Sequence, residues 1–206
     1  MFKKQIIQFG MIRSGCTLIY NLLIDLFPQK KIYKTHRYPT KFQQFINVPI
    51  VCTYRDPLDI LCSSIKRYNL RPTKEVINDQ VKELELNGLD AFIRLEANYG
   101  NKLILCYEKF KGNFNFIFDE FQNFFKVKIE DDIRKELEKK YSITVVKKKI
   151  SKFKTFQEFD KQSQFHGSHI SDTNGEIGSY LEFFNDEDII FLKSKFRTFR
   201  DRYFYK

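Results

Sequence analysis

Short apolar runs alternate with longer segments of helical periodicity along this chain. The runs at 4–9, 31–35, 49–54 and 102–107 predict β-strands, and the last two are apolar enough to be buried on both faces. Helical patterns are expected at 17–27, 57–68, 73–98 with an interruption at Gly88, and from 113 onward. This last stretch also contains a possible extended piece near 126–129, a polar loop at about 162–179 and a final amphipathic helix at about 185–203.

Strands that alternate with helices predict an α/β fold, with a mostly parallel central sheet flanked by helices. A chain of 206 residues suits a single domain, 1–206. Ligands of such sheets bind beyond the carboxyl ends of the strands. The loops at 10–16, 35–40 and 54–57 all follow strands, so we expect them to gather on one edge of the sheet.

Composition narrows the range of partners without choosing one. A formal net charge of +10 favours anionic partners such as nucleotides, nucleic acids, acidic glycans or membrane surfaces. No apolar run is long enough for an ordinary transmembrane helix, and no signal-peptide cleavage site follows the N-terminal apolar stretch. The four cysteines form no C-x-x-C pair, which argues against zinc and disulfides and predicts reduced, buried thiols in a cytoplasmic protein.

The first candidate site is the segment from Gly10 to Thr17, between a predicted strand and a predicted helix. Its glycines permit a tight turn with inward-pointing amides, and a helix N-terminus adds positive potential, so the segment could bind phosphate. An ordinary glycine turn fits the spacing as well. Cys16 stands where a Walker loop has lysine, and the cation appears earlier, as Arg13. A sulfuryl group carries less charge than a phosphoryl group, so amides and a side-chain cation could stabilise its transfer without metal.

Two further segments carry candidate chemistry, although each also has an ordinary structural interpretation. Arg55 ends a predicted strand and Ser63 lies about two turns into the next helix, a pairing that suits a terminal phosphate. Asp56 and Pro57 between them are a typical helix start. Lys34 and His36 share one face of a strand end, where the imidazole could accept a proton from an alcohol.

Together these segments resemble the sulfotransferases that use 3′-phosphoadenosine 5′-phosphosulfate (PAPS). Five segments carry the resemblance, in the family's order: Ile12-Arg13-Ser14-Gly15-Cys16-Thr17, Lys34-Thr35-His36, Arg55-Asp56-Pro57-Leu58-Asp59 with Ser63, Leu105-Cys106-Tyr107-Glu108, and Gly175-Glu176-Ile177-Gly178-Ser179-Tyr180. The resemblance implies a P-loop NTPase-like sulfotransferase fold. It also implies PAPS as co-substrate, no metal, and in-line transfer of the sulfuryl group to a hydroxyl or amine acceptor, possibly a saccharide.

The resemblance also implies a role for each matched residue. The 5′-phosphosulfate would be bound by Ser14, Gly15, Cys16 and Thr17. Arg13 would stabilise the charge on the bridging oxygen, and Arg55 with Ser63 would hold the 3′-phosphate. His36 would be the general base and Lys34 would assist at the sulfuryl oxygens. Tyr107, Gly175 and Gly178 would complete the donor site.

The chain departs from the family pattern at several positions. Ile12 replaces a proline, Cys16 replaces a hydroxyl residue, and Thr173-Asn174 stand where the family has an Arg-Lys clamp for the 3′-phosphate. His166, His169 or nearby lysines are candidates to replace that clamp.

Two other functions stay open from the residues alone. A P-loop phosphoryl transferase or nucleotide kinase would need magnesium. A non-catalytic basic module for nucleic acid is disfavoured, because Phe114, Phe118, Phe121 and Phe125 have the spacing of helix packing.

Overall fold

The computed structural model describes residues 5–37, 47–155, 157–167, 169–171 and 174–204. Its centre is a parallel sheet in the order β2-β1-β3-β4. The strands are β1 at Gln5–Gly10, β2 at Lys31–Thr35, β3 at Ile50–Tyr54 and β4 at Lys102–Cys106. The predicted α/β class with its parallel sheet is therefore confirmed.

Helices cover the sheet and continue beyond it. They are α1 at Cys16–Leu26, α2 at Pro57–Arg67, α3 at Lys74–Leu84, α4 at Asp90–Asn98, α5 at Tyr107–Phe110, α6 at Phe114–Phe125, α7 at Asp131–Tyr141, α8 at Ile143–Ile150, α9 at Tyr180–Phe183, α10 at Asp186–Lys195 and α11 at Arg197–Tyr203. A π-helical turn at Glu85–Leu89 joins α3 to α4 and contains Gly88, the predicted interruption. Within the described ranges, each helix is too short or too polar to cross a lipid bilayer.

Two of the predicted elements differ in the structure. The extended piece expected near 126–129 is wrong, because no strand forms there; Lys126 has a left-handed φ of 55° and ends α6. Ile129 is buried, and its amide donates to Oε1 of Gln122 at 2.6 Å. The apolar residue that suggested a strand is therefore a single buried side chain in the loop after α6. The final helix predicted at 185–203 is broken at Phe196, which is buried between α10 and α11.

Alternating side chains of the strands build two apolar layers. Ile7 and Phe9 of β1 face the layer formed with α2, α4 and the C-terminal helices. Ile6, which precedes Ile7, points to the opposite face and packs in the layer formed with α1, α6 and α7. Side chains that alternate in this way bury both faces of the sheet, which leaves the carboxyl ends of the strands as the open edge.

Close packing of β1 against β3 positions the first loop on that edge. A Cβ on Gly10 would lie 2.1 Å from Oγ1 of Thr53 and 2.5 Å from Sγ of Cys16, so only glycine fits there. The Met11 amide then donates to the Thr53 carbonyl at 3.0 Å. The described parts of the loops after β1, β2 and β3 meet at this edge, as predicted; residues 38–40 of the second loop lie outside the described residues.

Candidate active site

A cavity of about 960 Å³ opens at the carboxyl edge of the sheet. It is lined by all of the predicted site residues except Ser14 and Gly178: Arg13, Gly15, Cys16, Thr17, Lys34, His36, Arg55, Ser63, Tyr107 and Gly175. Residues from five separate segments of the sequence therefore border one space. The volume falls within the range of ligand pockets.

The first loop presents a cation to this cavity. Arg13 and Gly15 both have left-handed φ values, 58° and 79°, and Gly15 precedes the first turn of α1. Nε of Arg13 donates to Oγ of Ser63 at 2.9 Å, and its Nη1 donates to the His169 carbonyl at 3.3 Å. Arg13 thus bridges α2 and the polar loop at about 162–179, here called the late loop.

The Ser14 side chain points away from the cavity. Its hydroxyl donates to the Met11 carbonyl at 2.6 Å and lies 2.8 Å from Oγ1 of Thr53, and the residue is fully buried. In its expected role, Ser14 could therefore offer a ligand only its backbone amide.

Arg55 joins the end of β3 to the late loop. The side chain is 3% exposed and lies over the Tyr107 ring, with Cζ 4.3 Å from the ring centroid. Its Nη2 donates to the Glu176 carbonyl at 2.8 Å, and its Nε has no hydrogen-bond partner among the described residues. A buried guanidinium with an unsatisfied donor is costly unless an acceptor reaches it, so this arginine can bind an anion.

Side chains of α2 and α5 hold the late loop through hydrogen bonds to its backbone. Tyr107 donates from its hydroxyl to the Gly175 carbonyl at 2.9 Å, and Oδ2 of Asp59 accepts from the Gly178 amide at 2.9 Å. Gly178 therefore anchors the loop from outside the cavity, whereas Gly175 lines it. Of the two residues at the clamp position, Asn174 lines the cavity and Thr173 lies outside the described residues.

Asp56 belongs to the same segment as Arg55, and its contacts stabilise the fold. Its Oδ1 accepts from the Leu58 amide at 2.9 Å and caps α2, while its Oδ2 pairs with the guanidinium of Arg200 at 3.1 Å. The Asp56 amide donates to Oε1 of Glu108 at 2.8 Å. These contacts fix the chain immediately after Arg55, and no local sequence signal identified Arg200 as the partner.

On the opposite side of the first loop, β2 brings Lys34 and His36 to the cavity. Nζ of Lys34 donates to Oγ1 of Thr17 at 2.6 Å. Nδ1 of His36 lies 2.8 Å from the Gly10 carbonyl, which can only accept, so Nδ1 carries a proton and Nε2 is the nitrogen left to accept one.

Electrostatic coupling links His36 to Cys16, whose Sγ lies 3.9 Å from Nδ1. Burial opposes the thiolate, but the His36 imidazolium and the Lys34 ammonium stabilise it and lower the pKa of Cys16 to about 6. Burial likewise opposes the imidazolium, whereas the Cys16 thiolate and the Gly10 carbonyl raise the pKa of His36 above its ordinary value. The two side chains therefore titrate as a pair.

Other positively charged side chains lie close together along the cavity. Burial, together with the charges of Arg67 and Arg55, lowers the pKa of Arg13 to about 10. Burial and the Arg67 charge also lower the pKa of Lys34, against an opposing contribution from Cys16. A cavity in which cations depress one another's pKa values attracts anions.

Sequence reasoning missed Arg67, which lines the cavity one turn after Ser63 on α2. Its Nη2 lies 3.3 Å from Nε2 of His166, and Nδ1 of His169 lies 3.1 Å from the same nitrogen. Burial and the charges of Arg67, Arg13 and Lys34 lower the pKa of His166 to about 4. The spacing from Ser63 to Arg67 could have identified this arginine, because residues four apart share a helix face.

The far end of the cavity is mostly apolar. Its walls come from α5, α6, α7 and α8 and include Phe110, Phe114, Tyr141, Ile143 and Val146. A planar aromatic group could stack or pack there while its charged substituents face the arginines.

The chain has the sulfotransferase fold. Mouse sulfotransferase SULT7A1, solved in complex with PAP, matches with a TM-score of 0.70 and 17% sequence identity, over 98% of this chain and 86% of that chain. Retinol dehydratase matches in two structures: one with androsterone and the inactive cofactor PAP, at a TM-score of 0.69 and 11% identity, and one with retinol and PAP, at 0.67 and 12% identity. Both cover 96% of this chain and 81% of the other. No protein-family model matches the sequence, and a search of curated proteins found no match.

Proposed function

We propose that this protein is a PAPS-dependent sulfotransferase that moves a sulfuryl group to a hydroxyl or amine acceptor. The observation that carries the proposal is that Arg13 and Arg55, on loops that follow different strands, line one cavity at the carboxyl edge of the sheet. The similar structures, solved with PAP, support the same assignment.

The residues around the cavity fit such a donor. The unsatisfied Nε of Arg55 and the hydroxyl of Ser63 suit the 3′-phosphate. Gly15, Cys16 and Thr17 at the start of α1 suit the 5′-phosphosulfate. The apolar end suits the adenine. The donor supplies the sulfuryl group, and the chain supplies the binding and the proton transfer.

The acceptor oxygen or nitrogen attacks sulfur as the bond from sulfur to the bridging oxygen breaks, which releases adenosine 3′,5′-bisphosphate (PAP). The acceptor's proton goes to Nε2 of His36 in the form of the Cys16–His36 pair that has a neutral imidazole, because Nδ1 is committed to the Gly10 carbonyl. Arg13 offsets the charge that develops on the bridging oxygen, and Lys34 acts at the sulfuryl oxygens. We infer that the reaction uses no metal; a saccharide is one acceptor that the basic surface would suit.

We also infer that residues 1–206 act as one domain in the cytoplasm. All four cysteines are free and buried, and this suits a reducing compartment.

Thermal unfolding with PAP, compared with ATP plus magnesium, tests the donor assignment. At a hundredfold excess over Kd, PAP should stabilise the protein by about 2.7 kcal/mol, which is roughly 5–10 °C for a chain of this size. Arg55→Ala should reduce this shift, whereas Arg71→Ala removes an exposed arginine and should not. Equal stabilisation by ATP with magnesium would support the kinase alternative and contradict the proposal.

Transfer of labelled sulfate from PAPS to an acceptor panel tests the reaction itself. Arg13→Ala should lower turnover more than donor affinity, because it acts on the departing oxygen. An effect on affinity alone would reduce Arg13 to a binding residue.

A further inference from the structure

Glu138 is the one carboxylate among the described residues that line the cavity. It lies on α7, three and four residues before Tyr141 and Ser142, which line the cavity as well. Residues at these spacings share a face of a helix, so the three side chains form one wall. Within the described ranges, α7 forms its ion pairs through Arg134 and Lys140, and Glu138 takes part in none.

A carboxylate is unexpected in a cavity that binds a donor with several negative charges. The other charged residues of the described lining are all cations: Arg13, Lys34, Arg55, Arg67 and Lys111. A carboxylate close to the phosphates would weaken their binding by repulsion. Glu138 is compatible with this donor if it faces a part of the nucleotide that carries no negative charge and offers a hydrogen-bond donor.

The contacts of Tyr141 show where the wall formed by α7 lies. Its hydroxyl donates to Oδ2 of Asp25 at 2.6 Å. Asp25 is in the last turn of α1, eight residues beyond Thr17. Eight residues correspond to about 12 Å along a helix, so the Tyr141 hydroxyl is held well beyond the start of α1, where the phosphosulfate is proposed to bind. Glu138 therefore borders the apolar end of the cavity, which we assign to the adenine.

The chemistry of adenine suits a carboxylate at this end. The 6-amino group is the one hydrogen-bond donor of the base, and a carboxylate can only accept. A bond between them is charge-assisted, whereas the ring nitrogens of adenine are acceptors and would be repelled. A base without the amino group would cover the carboxylate and remove its water without replacing the lost hydrogen bond, so such a site discriminates against it.

We propose that Glu138 determines the base specificity of this protein by accepting a hydrogen bond from the 6-amino group of the donor's adenine. This inference rests on the proposed sulfotransferase function and adds a residue by which the chain distinguishes the base of its donor. Glu138 is exposed. The alternative, in which it is only a hydrated residue at the rim of the cavity, is an outcome of the test below.

The test compares two nucleotides by isothermal titration calorimetry on the full chain. PAP and purine riboside 3′,5′-bisphosphate have the same ribose and phosphates, and differ only in that the second carries hydrogen in place of the 6-amino group. We expect PAP to bind about tenfold more tightly or better, as for a hydrogen bond to a charged group. Failure of PAP to bind would contradict the proposed function itself, whereas equal binding of the two nucleotides would overturn only the present inference.

Substitution of the carboxylate assigns the preference to Glu138. Glu138→Ala should bring the ratio of the two affinities close to one, and Glu138→Gln, which keeps an acceptor oxygen, should retain part of the preference. Glu136→Ala removes another exposed carboxylate of α7, which lies outside the described lining, and should leave the ratio unchanged. An unchanged ratio in Glu138→Ala, including a change of both affinities by the same factor, would overturn the inference, because the residue would then not contact the 6-amino group.

Discussion

Cys16 should be the reactive thiol of this protein despite its burial. The residue is 4% exposed, yet it lines the cavity and lies 3.9 Å from Nδ1 of His36. Its pKa is lowered to about 6, whereas burial raises the pKa values of Cys62 and Cys106 to about 11 and raises that of Cys52 further. Reaction of a thiol with iodoacetamide requires the thiolate, so these pKa values predict which cysteine reacts.

The size of the effect follows from the pKa values. A lowering of the Cys16 pKa from 9.0 to about 6 corresponds to on the order of 4 kcal/mol of preference for the thiolate. At pH 7, about nine-tenths of Cys16 should then be thiolate, against about 1% for a thiol with the ordinary value. Burial slows the absolute rate at every pH, but the midpoint of the rate against pH still reports the pKa.

Alkylation by iodoacetamide from pH 4.5 to 9.5, followed by peptide mass spectrometry, measures this midpoint. The rate at Cys16 should fall as pH decreases through about 6, and PAP should protect the residue. His36→Ala removes the imidazolium, so burial should then dominate and move the midpoint upward by more than one pH unit. A midpoint near 9 in the unaltered protein, or earlier modification of Cys62 or Cys106, would refute the reasoning.

Three other substitutions test the site and the fold. His36→Ala should retain PAP binding in a thermal shift and lose roughly 10²–10⁴-fold in sulfate transfer, because the general base is gone. Gly10→Ala should destabilise the protein by about 1–3 kcal/mol or more in urea unfolding, since its Cβ would lie 2.1 Å from a threonine hydroxyl of β3. Arg200→Met should cost about 3–5 kcal/mol in the same assay, because it leaves the buried Asp56 carboxylate without its ion-pair partner.

Each of these has a control or an outcome that would contradict it. Unchanged turnover in His36→Ala would remove this residue from the mechanism. Gly100→Ala adds a methyl group with no atom within 4 Å and should change the free energy of unfolding little. Arg197→Met breaks an exposed pair with Asp201 and should cost far less than Arg200→Met; equal losses would show that burial of the Asp56 pair is unimportant.

Most of the fold could be predicted from the sequence because β1, β3 and β4 are short and largely buried. β3 is buried at every position, and such runs have few alternatives to the centre of a parallel sheet. The wrong extended piece near 126–129 and the unpredicted break at Phe196 have a common cause. At each place one buried apolar residue, Ile129 or Phe196, matches the sequence pattern of a strand or a helix. The residue is buried by tertiary packing, but no regular element runs through it.

The site could be predicted where the chemistry lies within one loop or one helix turn. Arg13 and Arg55 each come after a strand, Ser63 lies in the helix that follows Arg55, and the parallel sheet brings the ends of its strands to one edge. The contacts of Arg67 with His166 and of Asp56 with Arg200 could not be predicted, because they join residues 99 and 144 positions apart. Such pairs depend on how whole elements pack, which no local pattern records.

The pairing of Cys16 with His36 depends on one further feature, the register of β2 against β1. Phe9 pairs with Thr35, so His36 follows β2 beside Gly10 and reaches the start of α1. A slip of one residue would turn the His36 side chain to the other face of the sheet. β2 is an edge strand with exposed positions, Lys31 and Tyr33, so its own sequence specifies this register weakly. The alkylation midpoint of Cys16 therefore measures the register in solution, because a thiol pKa near 6 requires the imidazolium beside Gly10. His36 acts as the base in the other form of the pair, in which the proton resides on Cys16 and the imidazole is neutral.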